Sequence, residues 1–170
     1  NAPLDEVAWY QIGNAFFKMA EEKLERSTSN REERDRTAAT VAADSLFGVA
    51  AGYFLKTEEV ASGAELRVLA RSRVLTCRYR MRDFAGTVEE ARLLLARYPQ
   101  SGHAEQAMYD IGWSYYDMEE YGQSVTAFEA LVERFPGGYR ANRALFQIGE
   151  AHFAMEDFSA AIAYYRRLVE

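Results

Sequence analysis

The side chains best suited to catalysis in this sequence are two histidines and one cysteine, and they lack the neighbours that catalysis needs. His103 lies just before a predicted helix, and His152 lies inside one, where a packed histidine is typical. Cys77 is alone, which excludes an internal disulfide and a zinc site made of cysteines. The sequence contains no His-Glu-x-x-His motif, no glycine-rich phosphate loop and no paired nucleophile and base. We therefore predict that the chain is not an enzyme and has no metal and no cofactor.

The composition is typical of a soluble globular protein. The 170 residues are 49% hydrophobic, and 20 basic against 26 acidic residues give a net charge of −6. This acidic excess argues against nucleic acid as a partner, because the phosphate backbone requires clustered positive charge. The best apolar stretch, residues 45–55, is too short for a direct membrane span. Because the chain begins at Asn1 and not at methionine, we interpret it as a processed or excised segment.

Features of the sequence recur at an interval of 37 residues. Pro99 and Pro136 each follow an aromatic residue and are separated by this interval, which also separates Gly112 from Gly149. A fixed period between about 20 and 50 residues indicates stacked structural repeats. The role of a single side chain therefore depends on its position within its repeat.

Each repeat contains two apolar patterns of helical spacing. Met108, Ile111 and Tyr115 form the first pattern in one repeat, and Phe128 and Leu131 belong to the second. Only two residues separate the two patterns, so the helices must turn back antiparallel to each other. No window of the sequence alternates between apolar and polar residues as a strand would, and we predict an all-α fold.

These patterns resemble the tetratricopeptide repeat, whose signature places a Trp-type residue, Leu-Gly, Tyr, Ala, an aromatic residue and Pro at fixed offsets. The best single match is Trp9-x-x-Ile12-Gly13-x-x-Phe16. The resemblance implies a right-handed superhelical stack of about four antiparallel helix pairs that form one repeat domain. Because we interpret the sequence as an excised segment, we expect this domain to be part of a longer chain. The predicted units are residues 1–56, 63–99, 100–136 and 137–170, of which the last is truncated.

The first predicted unit carries a charged insertion at about residues 19–36. Thirty residues separate Gly13 from Ala43, whereas twelve separate the matching Gly112 and Ser124. The mixed charges indicate a solvated protrusion made of longer helices and a polar loop at 27–30. Two interpretations stay open, a longer hairpin without further function and a contact with a partner.

The second predicted unit is rich in arginine. Four arginines fall within about 60° of each other around one helix; they are Arg67, Arg71, Arg78 and Arg82. One interpretation is internal pairing, for instance with Glu89, Glu90 or the charged insertion. The other is a basic strip that binds an acidic partner segment.

The resemblance also implies that the first helix of each unit lines an inner groove, and the residues at those positions are largely aromatic. Tyrosine and tryptophan are favoured anchors of binding surfaces, and Trp113 is the sharpest candidate because it lies off the apolar stripe of its helix. The alternative is that these rings pack between adjacent units. The groove candidates are Tyr10, Asn14, Phe17, Tyr79, Arg80, Tyr109, Trp113, Tyr116, Phe146, Glu150 and Phe153.

We therefore predict a non-catalytic scaffold or adaptor that binds a peptide segment or partner subunit in this groove. The alternative is a docking or regulatory repeat region of a larger protein whose catalytic or membrane domain lies outside this segment. The 37-residue spacing and Tyr98-Pro99-Gln100-Ser101 resemble bacterial cell-envelope members of the family. That resemblance favours the periplasm or cell envelope, with the cytoplasm second. Ile162, Tyr165 and Leu168 lack a covering unit in the sequence, which predicts a stacking partner on the C-terminal face.

Overall fold

A computed structural model describes residues 2–29 and 33–169, and these residues form eight α-helices and no β-strand. The prediction of an all-α fold is confirmed. Two compact units divide the chain, Asn1–Gly86 and Thr87–Glu170, and each has its own core. The unit boundaries predicted for the four repeats stay predictions. The helices are α1 (Ala2–Ser29), α2 (Glu33–Val60), α3 (Ala64–Arg80), α4 (Phe84–Arg97), α5 (Ala104–Asp117), α6 (Tyr121–Arg134), α7 (Ala141–Ala154) and α8 (Phe158–Val169).

The N-terminal unit is built on α1 and α2, two helices of 28 residues that pack against each other. Phe47 and Phe54 of α2 are completely buried between them. Val74 and Cys77 of α3 complete this core and are also completely buried. Burial raises the pKa of the Cys77 thiol to about 12, so the thiol stays protonated and unreactive at neutral pH.

The charged insertion at 19–36 is helical at both ends. α1 extends to Ser29 and α2 begins at Glu33, whereas Asn30 of the predicted polar loop lies outside the described residues. The first turn of α2 carries Glu33 and Asp35, whose negative charges stabilise the positive end of the helix dipole. These acidic residues explain why a new helix begins at this point of the sequence.

Helix α2 is, among the described residues, the one helix that is long and apolar enough to cross a membrane by length and composition. Part of its apolar character has a local explanation, because Phe47 and Phe54 pack in the core of the N-terminal unit, but only 28% of its most apolar stretch is buried. The longest unbroken apolar stretch of this helix is residues 45–55, which is why the sequence did not indicate a span. Val41, Val49 and small residues lie on its exposed side.

The C-terminal unit has its core between α5, α6, α7 and α8. Phe128 and Leu131 of α6 and Ile148 of α7 are completely buried there. Gly112 allows a close approach of α5 and α6, because a Cβ atom at this position would lie 2.5 Å from the Phe128 ring. The Ser124 hydroxyl donates a hydrogen bond to the Gly112 carbonyl at 2.9 Å, which ties α6 to α5 at the same point.

The same tight turn occurs three times among the described residues. The residues at its centre, Arg82, Glu119 and Glu156, have left-handed backbone conformations with φ of 58°, 62° and 62°. In the second turn the backbone N–H of Glu120 donates to the Tyr115 carbonyl at 2.9 Å, which is the long hydrogen bond of a Schellman motif. This turn recurs at the interval of the sequence repeat, and within the C-terminal unit it directs α6 back along α5 and α8 back along α7.

We expect the Gly112→Ala substitution to lower the free energy of unfolding by about 1–3 kcal/mol, because the added methyl group would overlap the Phe128 ring. Gly122→Ala is the control, since a Cβ atom at Gly122 would meet nothing within 4 Å. Alanine favours the helix, so this control should be unchanged or more stable by up to about 1 kcal/mol. Urea denaturation measures both variants, and equal stability of the two would contradict the expected overlap.

Candidate functional site

Two of the predicted groove residues are buried in the core of the N-terminal unit. Tyr10 is 9% exposed and Phe17 is 6% exposed, so the prediction that they line an open groove is wrong. Tyr10 packs against Phe54, and Phe17 packs edge-on against another ring of α2, at centroid distances of 5.5 and 5.2 Å. Arg73 of α3 covers both, with its Nε 3.4 Å from the Tyr10 hydroxyl and its guanidinium 5.4 Å from the Phe17 ring centre.

The other groove candidates of this unit lie in local contacts. Asn14 is half-buried and donates a hydrogen bond to Gln11 on its own helix at 3.5 Å. Tyr79 packs edge-on against Phe84 at 5.8 Å. Arg80 is exposed and forms an ion pair of 3.1 Å with Glu21 in the charged insertion. The N-terminal unit therefore does not gather the predicted residues into one binding surface.

The four arginines of the predicted strip contact groups of their own unit. Arg71 and Glu58 form an ion pair of 2.5 Å in which both side chains are only 7% exposed, so Arg71 is not accessible to an acidic partner. The prediction of a four-arginine strip is wrong at this position because the charge is neutralised inside the unit. The other three arginines also have contacts inside the unit. Arg78 forms an ion pair with Asp83 at 3.1 Å, and Arg67 donates a hydrogen bond to the Ala61 carbonyl at 2.6 Å. The Arg82 guanidinium lies 5.3 Å from the centre of the Phe84 ring.

The C-terminal unit does bring its predicted residues together on two helices. Tyr109, Trp113 and Tyr116 are spaced by four and three residues, which places them on one face of α5. Their rings form an edge-to-face series, with centroids 6.3 Å apart for the first pair and 5.6 Å for the second. Such contacts fix the orientation of each ring in addition to the area that it buries. The α5 face is therefore a rigid aromatic surface.

The partner helix α7 presents its residues at the same spacing. Phe146, Glu150 and Phe153 are again separated by four and three residues. The Phe146 and Phe153 side chains are 45% and 57% exposed, whereas phenylalanine side chains in folded proteins are most often buried. Exposed aromatic side chains that are grouped on one face indicate a binding surface.

Two neighbouring grooves run along this surface and share Phe146. The first has a volume of about 400 Å³ and lies between Tyr109 and the α7 side chains Arg143 and Gln147. The second, about 450 Å³, extends past Phe153 to α8. We call the surface formed by these two grooves and the α5 face the aromatic surface; its described residues are Tyr109, Trp113, Tyr116, Asn142, Arg143, Phe146, Gln147, Glu150, Phe153, Tyr165, Leu168 and Val169.

Hydrogen bonds and ion pairs hold the polar groups at the edges of the aromatic surface. Glu105 accepts a hydrogen bond from the backbone N–H of Arg140 at 2.7 Å and lies 3.8 Å from its guanidinium. That guanidinium also lies 5.9 Å from the centre of the Tyr109 ring. Glu150 accepts from the Tyr165 hydroxyl at 2.5 Å, and burial together with this bond raises the pKa of Tyr165 to about 12. These groups are fixed before any partner binds.

Asp110 lies next to Tyr109 on α5, and its carboxyl has an unusually high pKa. Burial raises the pKa of its carboxyl to about 7, although a hydrogen bond from Gln106 at 2.5 Å and the charge of Arg140 favour the ionised form. The carboxyl therefore changes its charge close to neutral pH. This residue was not predicted from the sequence, because its environment comes from packing and not from a motif.

Sequence reasoning also missed Asn142, Arg143 and Gln147, which line the first groove. A signal for two of them existed, since Arg143 precedes Phe146 by three residues and Asn142 by four, and such residues share a helical face. The inner-groove positions taken from the family resemblance did not include them.

The described residues offer little for catalysis. No group of three or more His, Cys, Asp or Glu side chains among them could hold a metal ion. His152 stacks on Tyr164 with centroids 5.5 Å apart, and its Nδ1 lies 3.5 Å from an Asp157 carboxylate oxygen. This histidine is held by its neighbours near the C-terminal end of α7.

Comparison with known proteins agrees with this arrangement of helices. Residues 109–170 match the family model of the tetratricopeptide repeat. No curated protein has significant sequence similarity to the chain. The fold is that of superhelical tetratricopeptide-like repeat proteins, as the solved structures below demonstrate, and the predicted fold class is confirmed.

Three solved structures illustrate the similarity. The apo form of RapI has a TM-score of 0.63 at 14% identity; the match covers 94% of this chain and 42% of RapI, so the chain spans less than half of that protein. MamA has a TM-score of 0.60 at 15% identity, with 96% and 90% of the two chains covered. The tetratricopeptide-like repeats of a putative kinesin light chain from Podosopora anserina have a TM-score of 0.57 at 9% identity, with 95% and 92% covered.

We expect Arg71→Ala to lower the free energy of unfolding by about 3 kcal/mol or more, because Glu58 would keep a buried charge without its guanidinium. Replacing both residues, as Arg71→Met with Glu58→Leu, should cost less than the single change. Arg80→Ala is the control, since the exposed pair with Glu21 contributes less than about 1 kcal/mol. Chemical denaturation measures all three, and a double variant less stable than Arg71→Ala would contradict the expected order.

We expect Asp110→Asn to change the pH dependence of stability. The pKa of about 7 in the folded state lies above the ordinary 3.8, so the folded state binds this proton more tightly. The resulting stabilisation is present below pH 3.8 and is lost as the pH rises to about 7. The stability of the variant relative to the parent should therefore rise across this window and stay constant above it. Denaturation at several pH values tests this, with the exposed Asp117→Asn as control; a constant difference would contradict the raised pKa.

Proposed function

We propose that this chain, for which the family match and the solved structures support the tetratricopeptide repeat family, is a non-catalytic adaptor that binds a peptide segment or partner subunit. The aromatic surface of the C-terminal unit is the proposed binding surface. The observation that carries the proposal is the pair of adjoining grooves that share the exposed Phe146.

The character of the aromatic surface supports a peptide as the bound group. Rigid rings at Trp113 and Tyr109 supply contact area at low entropic cost. Arg143 and Gln147 line the first groove and could hydrogen-bond to carbonyl groups of a backbone. Grooves of 400 and 450 Å³ could each accept an apolar side chain. We therefore propose a segment with two apolar anchors separated by polar residues.

The charges around the aromatic surface have both signs, with Glu150 near one groove and Arg143 near the other. This distribution supports a partner that carries both kinds of charge in a fixed order, because like charges brought face to face would weaken binding. It gives no support for nucleic acid as the partner.

The proposed setting is the bacterial cell envelope, with the periplasm first and the cytoplasm second. The support is the sequence likeness at Tyr98-Pro99-Gln100-Ser101 and the repeat spacing. A stacking partner on the C-terminal face is part of the same proposal, and the 52% exposed Ile162 of α8 supports it.

A second candidate is a docking or regulatory repeat region of a larger protein. The aromatic surface would then bind another segment of the same polypeptide. The two candidates predict the same contacts at Trp113 and Phe146 and differ in whether the bound segment belongs to a separate protein. The sequence of the full-length protein distinguishes them.

The experiment selects peptides that bind the chain from a phage-displayed library of random dodecapeptides. We expect selected peptides to bind the Trp113→Ala/Phe146→Ala variant at least about tenfold more weakly, because anchors at the centre of an interface contribute most of its affinity. Fluorescence polarisation of labelled synthetic peptides measures this loss.

Leu93→Ala is the matched control, because this side chain is 42% exposed, close to the value for Phe146, and lines neither groove. It should keep the affinity of the parent, and circular dichroism should give the same helix content for all variants. Peptides that bind the double variant as tightly as the parent would exclude the aromatic surface as the binding site.

A further inference from the structure

A separate apolar cavity, open to solvent on one side, lies at the surface of the C-terminal unit and has no part in the aromatic surface. It has a volume of about 320 Å³ and is lined by side chains of α4, α5 and α6. That volume is at the lower end of the range of small-ligand pockets, which is about 300–1,000 Å³. The cavity is therefore suited to a small molecule.

The sequence explains why this cavity exists. Met108 and Ile111 of α5 face the short side chains of Ala127 and Ala130 on α6. Met108 occupies the Trp-type position of the repeat signature. A tryptophan at this position has a bulkier side chain, which would fill more of the space. The short side chains of Ala127 and Ala130 on one wall and the unbranched side chain of Met108 on the other leave the cavity unfilled.

Arg92 of α4 supplies a positive charge at the cavity. Its Nη2 donates a hydrogen bond to the Tyr115 hydroxyl at 2.8 Å, and both side chains line the cavity. Within residues 2–29 and 33–169, no carboxylate forms an ion pair with Arg92. Since the Tyr115 oxygen accepts the bond from Arg92, its own proton is free to be donated to a ligand.

We propose that this cavity binds a medium-chain monocarboxylate, with the apolar chain against Met108 and Ile111 and the carboxylate on Arg92 and Tyr115. The apolar wall accounts for the chain, and the unneutralised guanidinium beside a hydroxyl donor accounts for the carboxylate. The proposal is independent of peptide binding, because it uses the Met108–Ile111 side of α5 and not the Tyr109–Trp113 side.

Isothermal titration calorimetry of the 170-residue chain with octanoate tests the proposal, with 1-octanol and octylamine as probes of the same chain length. Octanoate should bind with one site per chain and more tightly than the other two. No binding of octanoate at millimolar concentration would overturn the proposal. Binding of octanol as tight as that of octanoate would also overturn it, because the charge would then contribute nothing.

Two variants test the two halves of the cavity. Arg92→Gln should weaken octanoate binding about fivefold and leave octanol unchanged. Its control is Arg166→Gln, which removes an equal charge from the exposed side of α8. Ala130→Leu should weaken octanoate and octanol alike, because Ala130 is exposed at the rim and the larger side chain would occupy the cavity without disturbing the core.

Nuclear magnetic resonance locates the bound molecule independently of these variants. Octanoate should shift the methyl signals of Met108 and Ile111 and leave the indole N–H signal of Trp113 in place. A shift of the Trp113 signal without any change at Met108 would overturn the proposal, since the ligand would then lie on the aromatic surface.

Discussion

The contact of a helix backbone with an aromatic ring is the constraint on which both units depend. A Cβ atom at Gly13 would lie 2.8 Å from the Phe54 ring, and one at Gly112 would lie 2.5 Å from Phe128. Neither distance is compatible with a side chain, so only glycine lets the two helices of each pair approach this closely. The separation of the helices in turn determines which side chains are buried and which remain at the surface.

Helix α5 illustrates how much follows from that separation. One side of it carries Tyr109 and Trp113 towards the aromatic surface, and the other carries Met108 and Ile111 towards the apolar cavity. The same short helix therefore borders both of the proposed binding surfaces. Its backbone is fixed by the Gly112 contact with Phe128, so neither surface can shift without disturbing the core of the unit.

Regular features of the sequence predicted the fold, whereas contacts between distant residues decided the details of the site. The 37-residue interval and the spacing of Met108, Ile111 and Tyr115 are local signals, and they were sufficient for the all-α fold. Tyr10 was misplaced because the residue that covers it, Arg73, lies 63 positions later in the chain. No pattern near Tyr10 reports that contact.

Contacts between distant residues also decide the charge and accessibility of Arg71 and Asp110. Arg71 occupies a helical face that a sequence pattern marks as a basic strip, but Glu58 on another helix neutralises it within the core. Asp110 has an ordinary sequence context, and packing alone moves its pKa to about 7. The sequence thus predicts where charged residues lie along a helix, and the tertiary structure determines whether they are paired, neutral or accessible.

The burial of Cys77 has a consequence for where this protein can operate. Its sulfur is enclosed in the core of the N-terminal unit and remains a thiol, so oxidants and other thiols cannot reach it. Two copies of the chain cannot become cross-linked through it while folded, and no covalent bond of the fold is lost under reducing conditions. The fold therefore depends on no disulfide, and its one thiol is protected whether the compartment is oxidising or reducing.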